Sequence, residues 1–92
     1  TSLYSGTLSS GSTTFNYGNY NFYVIIGVPK SSSSIMTLVV PKAAITTSVA
    51  TYQIADEANY LCIKLSYSGS TCTLTIGNAS ATGSVTKVYG VN

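Results

Sequence analysis

Leu61-Cys62-Ile63-Lys64-Leu65-Ser66-Tyr67-Ser68-Gly69-Ser70-Thr71-Cys72-Thr73-Leu74-Thr75-Ile76 alternates apolar and polar residues on either side of a Ser-Gly break. A period of two sends successive side chains to opposite faces of a strand, so the stretch reads as a half-buried β-hairpin. Closing it with a two-residue turn at Ser68-Gly69 pairs Leu65 with Cys72, Ile63 with Leu74 and Leu61 with Ile76, all on one face. Cys62, Lys64 and Ser66 share the opposite face, where they meet water or a neighbouring subunit. In this register Cys62 lies opposite Thr75, and about three strand positions separate it from Cys72, roughly 10 Å at the usual rise. A disulfide needs Cα atoms within about 7 Å. Cys62 and Cys72 are therefore expected to be free, Cys72 as a small core residue. Free thiols fit synthesis in a reducing cytoplasm.

The same reading extends outward along the chain. Residues 3–8 form a first strand, broken at Ser9-Ser10-Gly11, and residues 12–15 a short second one. Phe22–Val28 is the strongest strand and is apolar on both faces: Phe22, Val24, Ile26 and Val28 on one, Tyr23, Ile25 and Gly27 on the other. Such a strand is central in a sandwich with its outer face covered, or part of a subunit contact. Pro29 stops it, and four serines, Ser31 to Ser34, follow as a solvated connector. Residues 35–40 make another two-faced apolar strand. Pro41 ends it, and residues 42–47 are expected to continue as an edge or bulged strand. Residues 51–54 form a short strand, 55–59 a turn or a single helical turn, and Ser84–Val91 the last strand. Seven to nine short strands with frequent turn signals predict an all-β fold: a single antiparallel β-sandwich, jelly-roll-like, occupying residues 1–92 as one domain.

Composition narrows function further. Among 92 residues the only formally charged side chains are Lys30, Lys42, Lys64, Lys87, Asp56 and Glu57, and histidine is absent. Acid–base and triad catalysis use a tunable proton carrier, and here the two carboxylates are neighbours in sequence. No enzymatic activity, metal site or cofactor is expected. Asp56-Glu57 lacks the ligand spacing of a dedicated calcium loop. A net charge of +2 is too weak and dispersed to grip a phosphate backbone, so no nucleic-acid partner is expected. The longest apolar run, Phe22–Val28, is far short of the roughly 20 residues of a membrane helix, so no membrane insertion is expected. A surface with so little charge favours self-association unless part of it is covered. Asn78-Ala79-Ser80 matches the glycosylation triplet, which has meaning only in a secreted eukaryotic chain.

The segment Phe15-Asn16-Tyr17-Gly18-Asn19-Tyr20-Asn21-Phe22-Tyr23 is the candidate binding site. Tyrosine offers wide, rigid, amphipathic contact area, and asparagine adds paired donors and acceptors. Saccharides use both, an apolar face to stack on and amides for hydroxyls. The candidate ligand-binding residues are Asn16, Tyr17, Asn19 and Tyr20, with Tyr17 and Asn19 beside Gly18 expected to be exposed. Phe15, Phe22, Tyr20 and Tyr23 fit core and cross-strand packing equally well.

Several short motifs carry a family resemblance. They are Leu3-Tyr4-Ser5-Gly6 with Ser9-Ser10-Gly11, Asn19-Tyr20-Asn21-Phe22, Tyr52-Gln53-Ile54 with Tyr60, and Val85-Thr86-Lys87-Val88-Tyr89-Gly90-Val91. Together they resemble the distal, C-terminal domain of tail-fibre or baseplate receptor-binding proteins of long-tailed bacteriophages. The resemblance implies a non-catalytic tip domain at the end of a longer chain, made in the bacterial cytoplasm and carried on the virion tail. It further implies a homotrimer that adheres to a bacterial cell-surface glycan or protein. No shaft or coiled coil precedes the domain in this sequence, a departure from that pattern. A purely structural virion component, such as a capsid decoration or a tail spacer domain, would use the same frame without a ligand.

Overall fold

A computed structural model of the chain describes residues 1–31 and 34–92. Ser32 and Ser33, the middle of the expected serine connector, lie outside the described residues. The strands are Ser2–Leu8 (β1), Ser12–Asn16 (β2), Phe22–Val28 (β3), Met36–Pro41 (β4), Ala50–Ala55 (β5), Tyr60–Ser68 (β6), Thr71–Ala79 (β7) and Ser84–Val91 (β8). They build two four-stranded sheets in the orders β1-β8-β3-β4 and β2-β7-β6-β5. Every ladder is antiparallel. The all-β sandwich expected from the alternation is the fold observed, with eight strands among the described residues.

The outer wrapping is that of a jelly roll: first and last strands pair in one sheet, second and seventh in the other. The nesting stops there, because β3 pairs with β4 and β5 with β6 as sequence neighbours. Four residues, 56–59, close the second of those hairpins. In the β5–β6 loop, Asp56 Oδ1 accepts from the Ala58 and Asn59 amides at 2.9 and 2.7 Å. This side-chain turn explains the bend expected there.

The core lies between the sheets. Phe15, Ile54, Leu61, Ile63, Leu65, Cys72 and Leu74 face inward from one sheet, and Tyr23, Ile25, Val40, Val85 and Val88 from the other. β6 and β7 present the inner row that the alternation defined, yet the hairpin register differs from expectation. Leu65 pairs with Leu74 and Ile63 with Ile76, while Ser68 faces Thr71 across Gly69-Ser70. The two-residue loop thus starts at Gly69, with φ +59°, and no non-glycine residue among the described residues takes positive φ. Glycine at the first central position is the type II′ arrangement that matches strand twist. A loop beginning at Ser68 would have forced serine into that conformation. Because the pairing slips by two residues, the inward set is unchanged. Near Gly77 a bulge between Leu61 and Ile63 absorbs the extra length of β7.

Residues 42–47 also depart from the extended continuation expected after Pro41. Lys42–Ala44 form a 3-10 turn, closed by the Ile45 amide on the Lys42 carbonyl at 3.1 Å. The turn drops Ile45, 2 % exposed, onto the end of the core. Burial of that side chain outweighs the strand preference of the segment.

Gly27 marks the closest approach of two backbones. A Cβ there would stand 2.5 Å from the Ser84 carbonyl oxygen and 3.3 Å from Ile54 Cδ1. Neither the ladder nor the opposite sheet can yield cheaply. Gly27→Ala is expected to destabilise the fold by about 1–3 kcal/mol. Gly77→Ala, whose Cβ meets only ordinary contacts of 3.4–3.5 Å, should stay within about 0.5 kcal/mol. Urea midpoints at unchanged m-value test the pair, and equal midpoints would contradict the packing assigned to Gly27.

Candidate functional site

Residues 16–21 cross one end of the sandwich as a strap from β2 to β3. Backbone bonds tie it at both ends. The Tyr17 amide donates to the Ser70 carbonyl at 2.8 Å, and the Asn21 amide to the Val91 carbonyl at 2.8 Å. From the side, the Lys42 amide donates to the Asn21 carbonyl at 3.0 Å. The Lys42 ammonium donates to the Gly18 carbonyl at 2.5 Å. Both bonds come from the 3-10 turn that replaced the expected strand. The sequence carries no signal for this bracing, since Lys42 and Gly18 are far apart in the chain and the turn itself was not legible.

Beneath the strap the tyrosines pack on one another. Tyr17 stacks on Tyr67 with centroids 4.1 Å apart and planes within 4°. It also lies 6.0 Å from Tyr23, and the Lys42 ammonium stands 5.1 Å from its centroid. Its hydroxyl is shared between the Lys42 and Ile45 carbonyls at 3.3 and 3.5 Å. Tyr17 is therefore half-buried, which corrects the expectation that it is exposed. Its ring gains more from stacking and core contact than from projecting into water. Tyr20 is half-buried as well. Its ring lies on Gly90, where an added Cβ would come within 2.6 Å of it, and meets Tyr23 edge-on at 5.9 Å.

Asn16 and Asn19 are exposed. The four candidate residues thus divide by depth: the asparagines form the outer surface of the strap and the tyrosines its base. Asn16 also belongs to a larger polar surface. Cross-strand register places Ser12, Thr75, Lys64 and Thr51 in one outward row of the β2-β7-β6-β5 sheet. Thr14, Thr73 and Ser66 form the next row, and Asn16, Thr71 and Ser68 the third. Hydroxyls, an amide and the Lys64 ammonium cover these three rows, a surface suited to hydrogen bonding. Sequence reasoning placed Cys62, Lys64 and Ser66 on this face but did not extend it across β7, β2 and β5, although the Thr71-x-Thr73-x-Thr75 alternation is its signature.

Among the described residues no three His, Cys, Asp or Glu side chains gather into a metal-holding group, and no pocket is present. Cys72 is fully buried and Cys62 half-buried, and both are free. Tyr23 is fully buried, and its hydroxyl has no well-aligned hydrogen bond. The Gly18 backbone beside it favours the phenolate, but burial dominates and raises its pKa. Burial, followed by the proximity of Tyr67 and Cys72, raises the pKa of Tyr17. Burial also pushes the Cys72 thiol up to about 11 from 9.0.

Two predictions follow from this packing. Tyr17→Phe loses only long hydroxyl bonds and should cost under about 1 kcal/mol. Tyr17→Ala loses the stacked ring and should cost about 2–4 kcal/mol, somewhat below full-core aromatic truncations. Comparable losses in the two variants by urea denaturation would contradict this assignment.

The second concerns alkaline pH. Folded-state pKa values above the unfolded ones mean that the unfolded chain gives up these protons first. The contribution of these three groups to stability is complete below pH 9.0, the ordinary thiol value, and falls as pH rises toward about 11. Cys72→Ala should remove the first part of that decline, as read from urea midpoints between pH 8 and 11 under reducing conditions. An unchanged profile would refute it.

The chain matches no family model, no curated protein and no solved structure.

Proposed function

We propose that the chain is a non-enzymatic host-adhesion domain of a bacteriophage tail, binding a bacterial surface saccharide or protein. The observation that carries the reading is the braced strap. Five hydrogen bonds, from Tyr17, Asn21 and Lys42, hold residues 17–21 over a floor of packed rings. A rigid loop loses little entropy when it binds, so its exposed amides can act as preorganised donors and acceptors. Asn16 and Asn19 contact the ligand, and Tyr17 and Tyr20 hold the strap in place. Each site is weak, and several copies on one virion supply avidity.

The placement of the resemblance motifs also supports the reading. Leu3-Tyr4-Ser5-Gly6 and Val85–Val91, at opposite ends of the chain, form one ladder in which Tyr4 faces Val88 and Ser2 faces Tyr89. Asn19-Tyr20-Asn21-Phe22 leads into β3, which pairs with the other side of β8. These three motifs lie side by side in one sheet, and Tyr52-Gln53-Ile54 with Tyr60 lies in the other, on β5 and β6. A second reading, a structural virion component without a ligand, draws support from the commitment of Tyr17 and Tyr20 to packing.

The double substitution Asn16→Ala/Asn19→Ala tests the adhesion reading. Both side chains are exposed, so the far-UV spectrum and urea midpoint should not change. Labelled protein incubated with a panel of bacterial cells and extracted wall glycans should bind a subset of them, and the double variant should lose at least about tenfold in affinity. Binding that survives the double substitution would move the site away from the strap. No binding by the parent protein to any cell or glycan would favour the structural reading.

A further inference from the structure

The two outer faces of the sandwich are chemically opposite. The β2-β7-β6-β5 face is polar at the ten positions placed above, Ser12, Thr75, Lys64, Thr51, Thr14, Thr73, Ser66, Asn16, Thr71 and Ser68, and beyond them carries Gln53 with Cys62 and Ala55 with Tyr60 at one end. On the other sheet, register places Pro41, Phe22 and Val91 in one row across β4, β3 and β8. Val39, Val24, Tyr89 and Ser2 form the next row, and Thr37, Ile26, Lys87 and Ser5 the third. Seven of these eleven outward positions are apolar or aromatic, and Val39 is 55 % exposed. Both faces belong to one chain and, in the monomer, meet the same solvent. Water accounts for the first and not for the second.

We infer that the outer face of the β1-β8-β3-β4 sheet is a self-association surface, which a second copy of this chain covers face to face. Charge supports a second copy as the occupant. Lys87 is the only charge in the grid, on the interior strand β8, and its long stem can pack along the sheet while the ammonium reaches water. With one charge among these positions, the face has no charge pattern to select a charged partner, and a second copy has a single lysine to accommodate. Area supports it too. A four-stranded face seven residues long measures roughly 19 by 23 Å, or about 440 Å² in projection, and side-chain relief adds to that. A standard interface takes about 800 Å² per partner, so the pair needs the whole face and binds at the weak, micromolar end.

A patch that meets its own copy is isologous and closes as a two-fold pair. A trimer needs two different complementary patches on each copy, so the inference gives a dimer where the family resemblance implies a homotrimer. It stands independently of the adhesion reading, because Asn16 and Asn19 lie outside this face.

Light scattering coupled to size exclusion, from about 1 to 500 μM under reducing conditions, tests it. The mass should rise from 9.6 kDa toward twice that value with concentration. Val39→Lys, at an exposed edge-strand position, and Val24→Lys, at the grid centre, should each raise the dissociation constant at least about tenfold. Far-UV spectra of the variants check that they are folded, and Val39→Lys serves if Val24→Lys is not. Thr73→Lys, on the opposite face, should leave the dimer unchanged. Three outcomes would overturn the inference: a monomer throughout the range, a threefold mass, or dissociation by Thr73→Lys but not by Val39→Lys.

Discussion

The inner row of the β6–β7 hairpin, pressed against the inner row of β3 and β8, is the contact on which the rest of the structure depends. Leu61, Ile63, Leu65, Cys72 and Leu74 are fully buried from one side, and Tyr23, Ile25, Val85 and Val88 from the other. A domain of this size buries only a modest fraction of its surface, so a single continuous layer must supply most of the apolar stabilisation. The layer also sets how close the sheets can come. Gly27 is the clearest record of that approach: its missing side chain lets β3 lie against the Ser84 carbonyl and beneath Ile54.

Scarcity of charge shapes how the ends of the sandwich are closed. The bonds that brace the loops run mainly from hydroxyl, amide or ammonium donors to backbone carbonyls. Tyr17, Tyr52 and Lys42 all donate in this way. Such bonds satisfy carbonyls left over at strand ends and turns, which would otherwise cost free energy where they are shielded from water. Tyrosine suits the role because one residue brings a ring for the core and a hydroxyl for the carbonyl. This dual use accounts for the tyrosine-rich strap lying mostly inward, with the ligand-facing part of the proposed site left to Asn16 and Asn19.

The asymmetry between the two outer faces ties the fold to assembly. A sandwich needs one apolar face per sheet, and the second apolar face on β3 is surplus to folding. Surplus apolar surface on a nearly uncharged protein promotes association, and closed two-fold pairing limits it. The hydroxyl-covered face and the strap remain open to water in such a pair. Adhesion and assembly would then occupy different surfaces of one small domain.

The alternation of residues 61–76, and the bounds of Phe22–Val28 and Ser84–Val91, were legible in the sequence, and with them the all-β class and the inward set. Side-chain period is a local property that the chain carries wherever its strands are placed. The hairpin register was not legible, because alternation is blind to a slip of two, and only the φ of Gly69 separates the alternatives. The turn at Lys42–Ala44 was not legible either, since the burial of Ile45 against the core overrides the local preference. The division of the candidate site into outward asparagines and packed tyrosines depends on Tyr67, Gly90 and Lys42, all distant in sequence. Which faces each strand has is written in its local alternation. What each face meets is set by the packed fold, through contacts between segments that no local pattern encodes.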